Sequence, residues 1–157
     1  LNIVDARIHN TRDGWTVDTY IILEADGNPI RQTGRFAEIE ARLFEFISGS
    51  VTPPDHIHRS LSRQQRSFSI HPQITFTRDN EQNRTIMQVI TSDRPGLLSR
   101  IASVLTHFHI TINSAKIATL GERVEDTFFI SFNGHALTDP PLIKQLQEGL
   151  FTAITDS

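Results

Sequence analysis

The chain contains no cysteine, and that one absence removes several chemistries. A disulfide framework, a thiolate metal centre and a cysteine nucleophile are excluded, and the composition suits a cytoplasmic protein. Long apolar runs are missing too. Nothing approaches the ~18 consecutive apolar residues that cross a bilayer, so no membrane role is expected. The N-terminal LNIVDARIHN lacks the basic and apolar stretches of a secretory signal. Lysine is scarce, with two against thirteen arginines. The net charge of −3 argues against nucleic-acid binding by the chain as a whole but leaves room for local basic patches. At 157 residues there is material for one ordinary domain or two very small ones.

What is present is a unit used twice. Residues 1–23 (LNIVDARIHNTRDGWTVDTYIIL) run parallel to residues 110–131 (ITINSAKIATLGERVEDTFFIS). Ala6-Arg7-Ile8 aligns with Ala115-Lys116-Ile117, and Asp18-Thr19-Tyr20 aligns with Asp126-Thr127-Phe128 one residue out of phase. Alternating apolar runs joined at Arg12-Asp13-Gly14 and at Leu120-Gly121-Glu122 predict a β-hairpin each time. A helical spacing follows each hairpin. It is carried by Phe36, Ile39, Leu43 and Phe46 in the first copy, and by Leu142, Leu146 and Leu150 after Thr138-Asp139-Pro140-Pro141 in the second. The shared order marks an internal repeat.

The second copy also has a front. Thr85–Thr91 reads as a strand, and Pro95–Phe108 reads as a helix with Leu97, Leu98, Ile101, Val104, Leu105 and Phe108 on one side. Strand, helix, hairpin and helix make a βαββαβ plan. The fold class is therefore α+β, two ferredoxin-like units with antiparallel sheets and helices on one face. The expected units are residues 1–79 and 84–157. The first has no counterpart of Ile86–His109, so it is expected to lack its N-terminal strand and helix within a longer protein. Its open side is expected to associate with another copy or a partner domain.

Between the copies, HIHRSLSRQQRSFSIHPQITFTR (residues 56–78) holds four arginines, three histidines and no acid. Ser67–Ile70 and Gln73–Thr77 read as short strands, one of them closing the first sheet, with Asp79–Asn83 as a linker. His56 and His58 share a face of extended chain, but two histidines with no third ligand make no expected metal site. Arginines with Phe68 and Phe76 could grip phosphates and stack bases. The acidic balance of the chain points instead to docking on acidic protein surfaces, with no nucleic acid.

Strand TIMQVIT, then Asp93-Arg94-Pro95-Gly96-Leu97-Leu98, then a helix ending near His109 and a strand opening Ile110-Thr111-Ile112, resembles an ACT domain. That family supplies small-molecule regulatory modules that most often sense amino acids. NIVDARIHNTRDGWTVDTYIILEADGNPI, the connector into SFSIHPQITF, and RTIMQVITSDRPGLLSRIASVL resemble the tandem C-terminal ACT domains of the bifunctional protein-PII uridylyltransferase/uridylyl-removing enzymes. The resemblance covers nearly the whole chain. It implies a glutamine-sensing region that controls two opposed activities in nitrogen regulation. It also implies upstream catalytic domains that act on the PII protein and take magnesium, and ACT–ACT pairing or a homo-oligomer. No Gly-Ser loop with a nearby Asp-x-Asp pair and no hydrolase-type His-Asp dyad occurs here. These 157 residues are therefore expected to hold no catalytic residue and no cofactor.

The candidate ligand-binding residues are Asp93, Arg94, Gly96, Leu97, Leu98 and Asn113. A helix start presents N–H groups without intrahelical partners and the positive end of the dipole, which suits a carboxylate. Gly96 lets a ligand approach the backbone. Asp93 suits an ammonium group, and Asn113 on the following strand has the donor and acceptor to read a carboxamide. The plain alternative is that Asp93 caps the helix for ~1 kcal/mol, Arg94 is solvated and Pro95 fixes the first turn. Asp18 and Asp126 read as edge or turn-side carboxylates near a neighbouring strand's arginine. Two functions stand open: an amino-acid sensor, and a structural ACT interaction module that binds nothing small.

Overall fold

A computed structural model describes residues 1–11, 13–51 and 70–155. In chain order the elements are β1 (Asn2–Asn10), β2 (Thr16–Leu23), α1 (Thr33–Ile47), β3 (Gln73–Asp79), β4 (Arg84–Ser92), α2 (Leu97–His107), β5 (Ile110–Leu120), β6 (Arg123–Phe132) and α3 (Pro140–Thr155). The strands form a single antiparallel sheet in the order β2-β1-β5-β6-β4-β3. The α+β class and the strand–helix–hairpin–helix order of the second copy are as the periodicities predict.

The core follows from two phases meeting. Period-2 alternation buries Met87 and Val89 on β4 and Val124, Phe128 and Ile130 on β6. Helical spacing buries Leu97, Ile101 and Leu105 on α2 and Leu146, Leu150 and Ile154 on α3. All belong to one apolar cluster. Each such side chain stabilises the fold by ~1.5–3 kcal/mol through removal from water.

The two copies of the repeat meet along β1 and β5. Ala6 lies opposite Ile117, Arg7 opposite Lys116 and Ile8 opposite Ala115. The aligned triplets thus face each other in reverse order, so a local two-fold axis passes between Arg7 and Lys116. The bulges obey the same symmetry. One lies between Ile3 and Asp5, the other between Ile112 and Ser114. Within each hairpin the register also repeats, with Ala6 opposite Tyr20 and Ala115 opposite Phe128.

Two expectations about the connector are corrected. Gln73–Asp79 does not close the first sheet; as β3 it pairs with β4, from Gln73 opposite Ile90 to Asp79 opposite Arg84. Asp79–Asn83 is accordingly a hairpin turn and not a linker. Asp79 Oδ1 accepts the N–H groups of Glu81 (3.2 Å) and Gln82 (3.4 Å), while Oδ2 pairs with Arg84 (2.9 Å). An Asp that gathers the next N–H groups reverses the chain, and composition alone does not separate that from a linker. Of the other expected strand, Ser67–Ser69 lie outside the described residues, as do His56, His58 and Phe68. Phe76 is half-buried and packs against the core.

The two hairpins differ sharply in cover. Helix α1 has the expected apolar stripe, yet it has no buried residue, and Phe36, Leu43, Phe44 and Ile47 are exposed. Tyr20 is 46% exposed where its repeat mate Phe128 is 4% exposed.

The Arg7–Lys116 pair makes the seam testable. Like charges directly opposite on a sheet face are destabilising. Lys116→Glu should therefore raise stability by ~0.2–1 kcal/mol at low ionic strength, with the gain shrinking as salt screens the pair. Denaturant melts at two salt concentrations check it; an unchanged or lowered midpoint at low salt would contradict this register.

Candidate functional site

The residues singled out after β4 form a tight turn at the start of α2. Asp93 N–H donates to Glu122 O (2.9 Å), which ties the turn to the β5–β6 connection. Leu97 N–H reaches back to Arg94 O (3.1 Å), and the helix opens with Arg100 N–H on Gly96 O (3.0 Å). Gly96 has φ +78°, the left-handed region where a side chain is strained. It is the N-cap, and among the described residues no side chain caps the helix.

Asp93 therefore does not cap α2, and Pro95 precedes the helix instead of occupying its first turn. The left-handed glycine takes the boundary position that a capping side chain would otherwise fill. The side chains of Leu97 and Leu98 pack in the core, so what they offer a ligand is backbone. By helix geometry the N–H groups of Leu98 and Ser99 lie at the open end, under the positive pole of the dipole.

Arg94 is not simply solvated. Its Nη1 donates to Thr155 O (3.2 Å), and Arg100 Nη1 donates to Ala153 O (3.3 Å). Both guanidinium groups thus meet the negative, C-terminal end of α3, a favourable charge–dipole arrangement.

Asn113 is elsewhere. It sits at the β5 bulge, next to Ser114, which lies opposite Phe129; Phe129 in turn lies opposite Ile86 on β4. Asp93 follows Ser92 at the other end of the same strand. The intervening residues of β4 span about 20 Å at strand rise. The helix mouth brings together Asp93, Arg94, Gly96, Leu97 and Leu98 but not Asn113, whose Oδ1 is buried without a hydrogen-bond partner among the described residues.

The residue that sequence reasoning placed wrongly is Asp126. It is 1% exposed, and so is neither an edge nor a turn-side carboxylate. Its Oδ1 accepts Ala118 N–H (3.2 Å), while Oδ2 is buried with no hydrogen-bond partner among the described residues. Burial pushes its carboxyl up to about 7; the Ala118 N–H opposes this, and the charge of nearby Asp93 adds to it. Asp93 is half-buried, and burial raises its carboxyl as well, against a hydrogen bond from Arg94 N–H. The signal was legible. Val124, Asp126, Phe128 and Ile130 alternate in phase, so an Asp in that series must point inward. Its repeat mate Asp18 is exposed and accepts the Tyr20 hydroxyl (3.1 Å).

An open cavity of about 850 Å³ lies between the end of β2 and α1, lined in part by Glu24, Asp26, Asn28, Arg31 and Arg35. Arg35 is held there by Glu24 (3.1 Å) and Glu38 (2.6 Å). Among the described residues no three His, Asp or Glu side chains group to hold a metal ion, and no helix is long and apolar enough to cross a membrane.

Residues 85–148 match the ACT domain family. The chain is similar to the bifunctional uridylyltransferase/uridylyl-removing enzyme of Stutzerimonas stutzeri, at 43% identity over 96% of this chain and 17% of that protein. The same enzyme of Pseudomonas aeruginosa is 42% identical over 96% of this chain and 17% of its own length. That of Ectopseudomonas mendocina is 39% identical over 99% and 18%. The chain thus spans under a fifth of these relatives. A solved structure of an unknown protein from Galdieria sulphuraria aligns with a TM-score of 0.38 and 24% identity, over 45% of this chain and 38% of that one.

Asp126 makes stability fall with rising pH. Its folded carboxyl titrates near 7, above the ordinary 3.8, so the folded state holds the proton more tightly than the unfolded chain. Its contribution is complete below the ordinary value and is lost as pH climbs through about 7. Asp126→Asn, which cannot ionise, should raise the melting temperature at pH about 8 and leave it nearly unchanged at pH about 4. Equal shifts at both pH values would show that this carboxyl is not buried in its neutral form.

Proposed function

We propose, from the match of residues 85–148 to the ACT domain family, that the chain is a regulatory module sensing a free amino acid, with glutamine the favoured ligand. The observation that carries the reading is the polarity of the α2 mouth. Open backbone N–H groups and a helix dipole suit a carboxylate, and Asp93 beside them suits an ammonium group. A zwitterion meets both demands. The longer proteins similar to this chain are bifunctional uridylyltransferase/uridylyl-removing enzymes, which makes regulation of those activities the natural context. On this reading, upstream catalytic domains act on the PII protein in the cytoplasm, with magnesium, and the ACT region reports glutamine to them.

Calorimetry of the 157-residue chain against a panel of free amino acids tests the reading. Glutamine should bind, and Asp93→Ala should weaken it by ~1.5–3 kcal/mol through loss of a charge-assisted contact. Asn113→Ala should leave binding unchanged, because a free amino acid does not span the distance from that bulge to the α2 mouth. Equal affinity in Asp93→Ala and wild type would move the site away from this turn.

The first hairpin and α1, uncovered among the described residues, favour a second reading, that of an interaction module. Trp15, Val17, Ile21, Phe36, Leu43, Phe44 and Ile47 are all exposed, more apolar surface than scattered single residues account for. Light scattering at micromolar concentration should then show self-association, weakened by Phe44→Ser together with Ile47→Ser on α1. A monomeric wild-type chain would count against this second reading and leave the sensor intact.

A further inference from the structure

We propose that Asp126 is a ligand-binding residue: with Asp93 it holds the cationic amino group of the amino acid whose carboxylate meets the start of α2. The proposal rests on the amino-acid-sensing reading above and adds to it a residue and the ligand chemistry that residue selects.

Three observations converge. First, Asp126 Oδ2 is buried and has no hydrogen-bond partner among the described residues, while Oδ1 is satisfied by Ala118 N–H. A buried carboxylate oxygen left unpaired is unfavourable, and a donor brought by a ligand removes that penalty. Second, Asp93 stands close enough for its charge to act on the Asp126 carboxyl, and it is itself only partly buried. It therefore marks the approach from solvent to the buried group. Third, Asp126 shares the inward face of β6 with Val124 and Phe128, which pack in one cluster with Leu97 in the first turn of α2, and among the described residues no side chain caps that helix at Gly96.

Together these features select by charge at two points. The helix end favours an anion, and the two carboxylates disfavour one. A lone anion or a lone cation satisfies half of the site. An α-amino acid, with carboxylate and ammonium on one carbon, satisfies both.

No other described group takes the place of the cation. Burial, the Ala118 N–H and Asp93 are what act on the Asp126 carboxyl. From β4, the residue opposite is Val89. From β5, Lys116 is exposed at the seam opposite Arg7. On β6 itself, Arg123 pairs with Glu125 (2.5 Å), and both are exposed. From the α2 segment, Arg94 and Arg100 reach Thr155 O and Ala153 O on α3.

The arrangement couples ligand to proton. In the empty site the Asp126 carboxyl keeps its proton up to about pH 7, because burial and Asp93 both oppose its charge. An incoming ammonium group favours the carboxylate, so binding releases that proton. Affinity for a cationic amine should therefore rise with pH, by up to about tenfold per unit, until pH about 7, and then level off.

Calorimetry on the 157-residue chain with glutamine and with glutaramate, its analogue lacking the amino group, at pH about 6 and about 8 tests this. Wild type should bind glutamine more tightly at the higher pH and strongly prefer it to glutaramate. Asp126→Asn should lose at least tenfold in glutamine affinity, lose most of its pH dependence, and prefer glutamine over glutaramate far less. Should the variant unfold, the wild-type pH profile and the wild-type preference decide the matter without it. Wild-type glutamine binding that is flat in pH and matched by glutaramate overturns the proposal while leaving amino-acid sensing standing; so does an Asp126→Asn chain that binds like wild type. A wild-type chain that binds no amino acid at either pH overturns the sensing reading, and this proposal falls with it.

Discussion

The antiparallel pairing of β1 with β5 is the contact that makes one sheet out of two hairpins. Without it, each hairpin would be a two-stranded element, marginal alone in water. The pairing works because the same Ala-x-Ile triplet is used on both sides of a local two-fold axis. Ala6 meets Ile117 and Ala115 meets Ile8, so each small side chain faces a large one. Four residues fill the seam without overpacking, and Ala6 is fully buried there. Between them Arg7 and Lys116 point the other way, exposed, where a like-charge pair costs little in high dielectric.

Symmetry of backbone does not carry over to symmetry of environment. β6 lies between β5 and β4 and beneath the core formed with α2 and α3, so its inward residues are dry. β2 has β1 on one side and, among the described residues, no strand on the other. The sequence reflects this in its substitutions: Tyr20, whose hydroxyl can meet water and Asp18, stands where Phe128 is buried. The same carboxylate position, Asp18 or Asp126, is exposed at the surface in one copy and buried, with its carboxyl pushed up to about 7, in the other. Copying a hairpin copies its register; its chemistry is set by what lies over it.

Legibility of the sequence followed the same division. Features fixed by local period were readable: both hairpins, the apolar faces of α1, α2 and α3, and the repeat itself. Features fixed by partner choice were not. Gln73–Asp79 has a strand's composition, but nothing local says whether it pairs with β1, β2 or β4. Asp93–Leu98 was legible as a helix opening, while the boundary at Gly96 depends on a positive φ that Pro95-Gly96 permits without compelling. Asn113 and Asp93 are close in sequence terms, one on the strand after the helix that the other precedes. The length of that helix carries them to opposite ends of the sheet. Asp126 was readable from the inward phase of β6, but a charged residue invites a surface placement, and that preference overrode the period.

The α2 mouth is connected to the seam by a short run of hydrogen bonds and pairings. Asp126 Oδ1 accepts Ala118 N–H, and Ala118 lies opposite Asp5 on β1. The turn at Asp93 is held by Glu122 O on one side, and Arg94 reaches the last carbonyls of α3 on the other. A bond to an ionised acceptor is shorter and roughly twice as strong as one between neutral groups. If a bound ammonium ionises Asp126, the Ala118 N–H is drawn more tightly to it at the strand that carries the first hairpin. Ligand occupancy and the tightness of the seam then become linked quantities, and by reciprocity whatever stabilises the seam also favours the occupied site. On the sensing reading proposed above, that link runs through the Asp126 carboxyl and the Ala118 N–H it accepts.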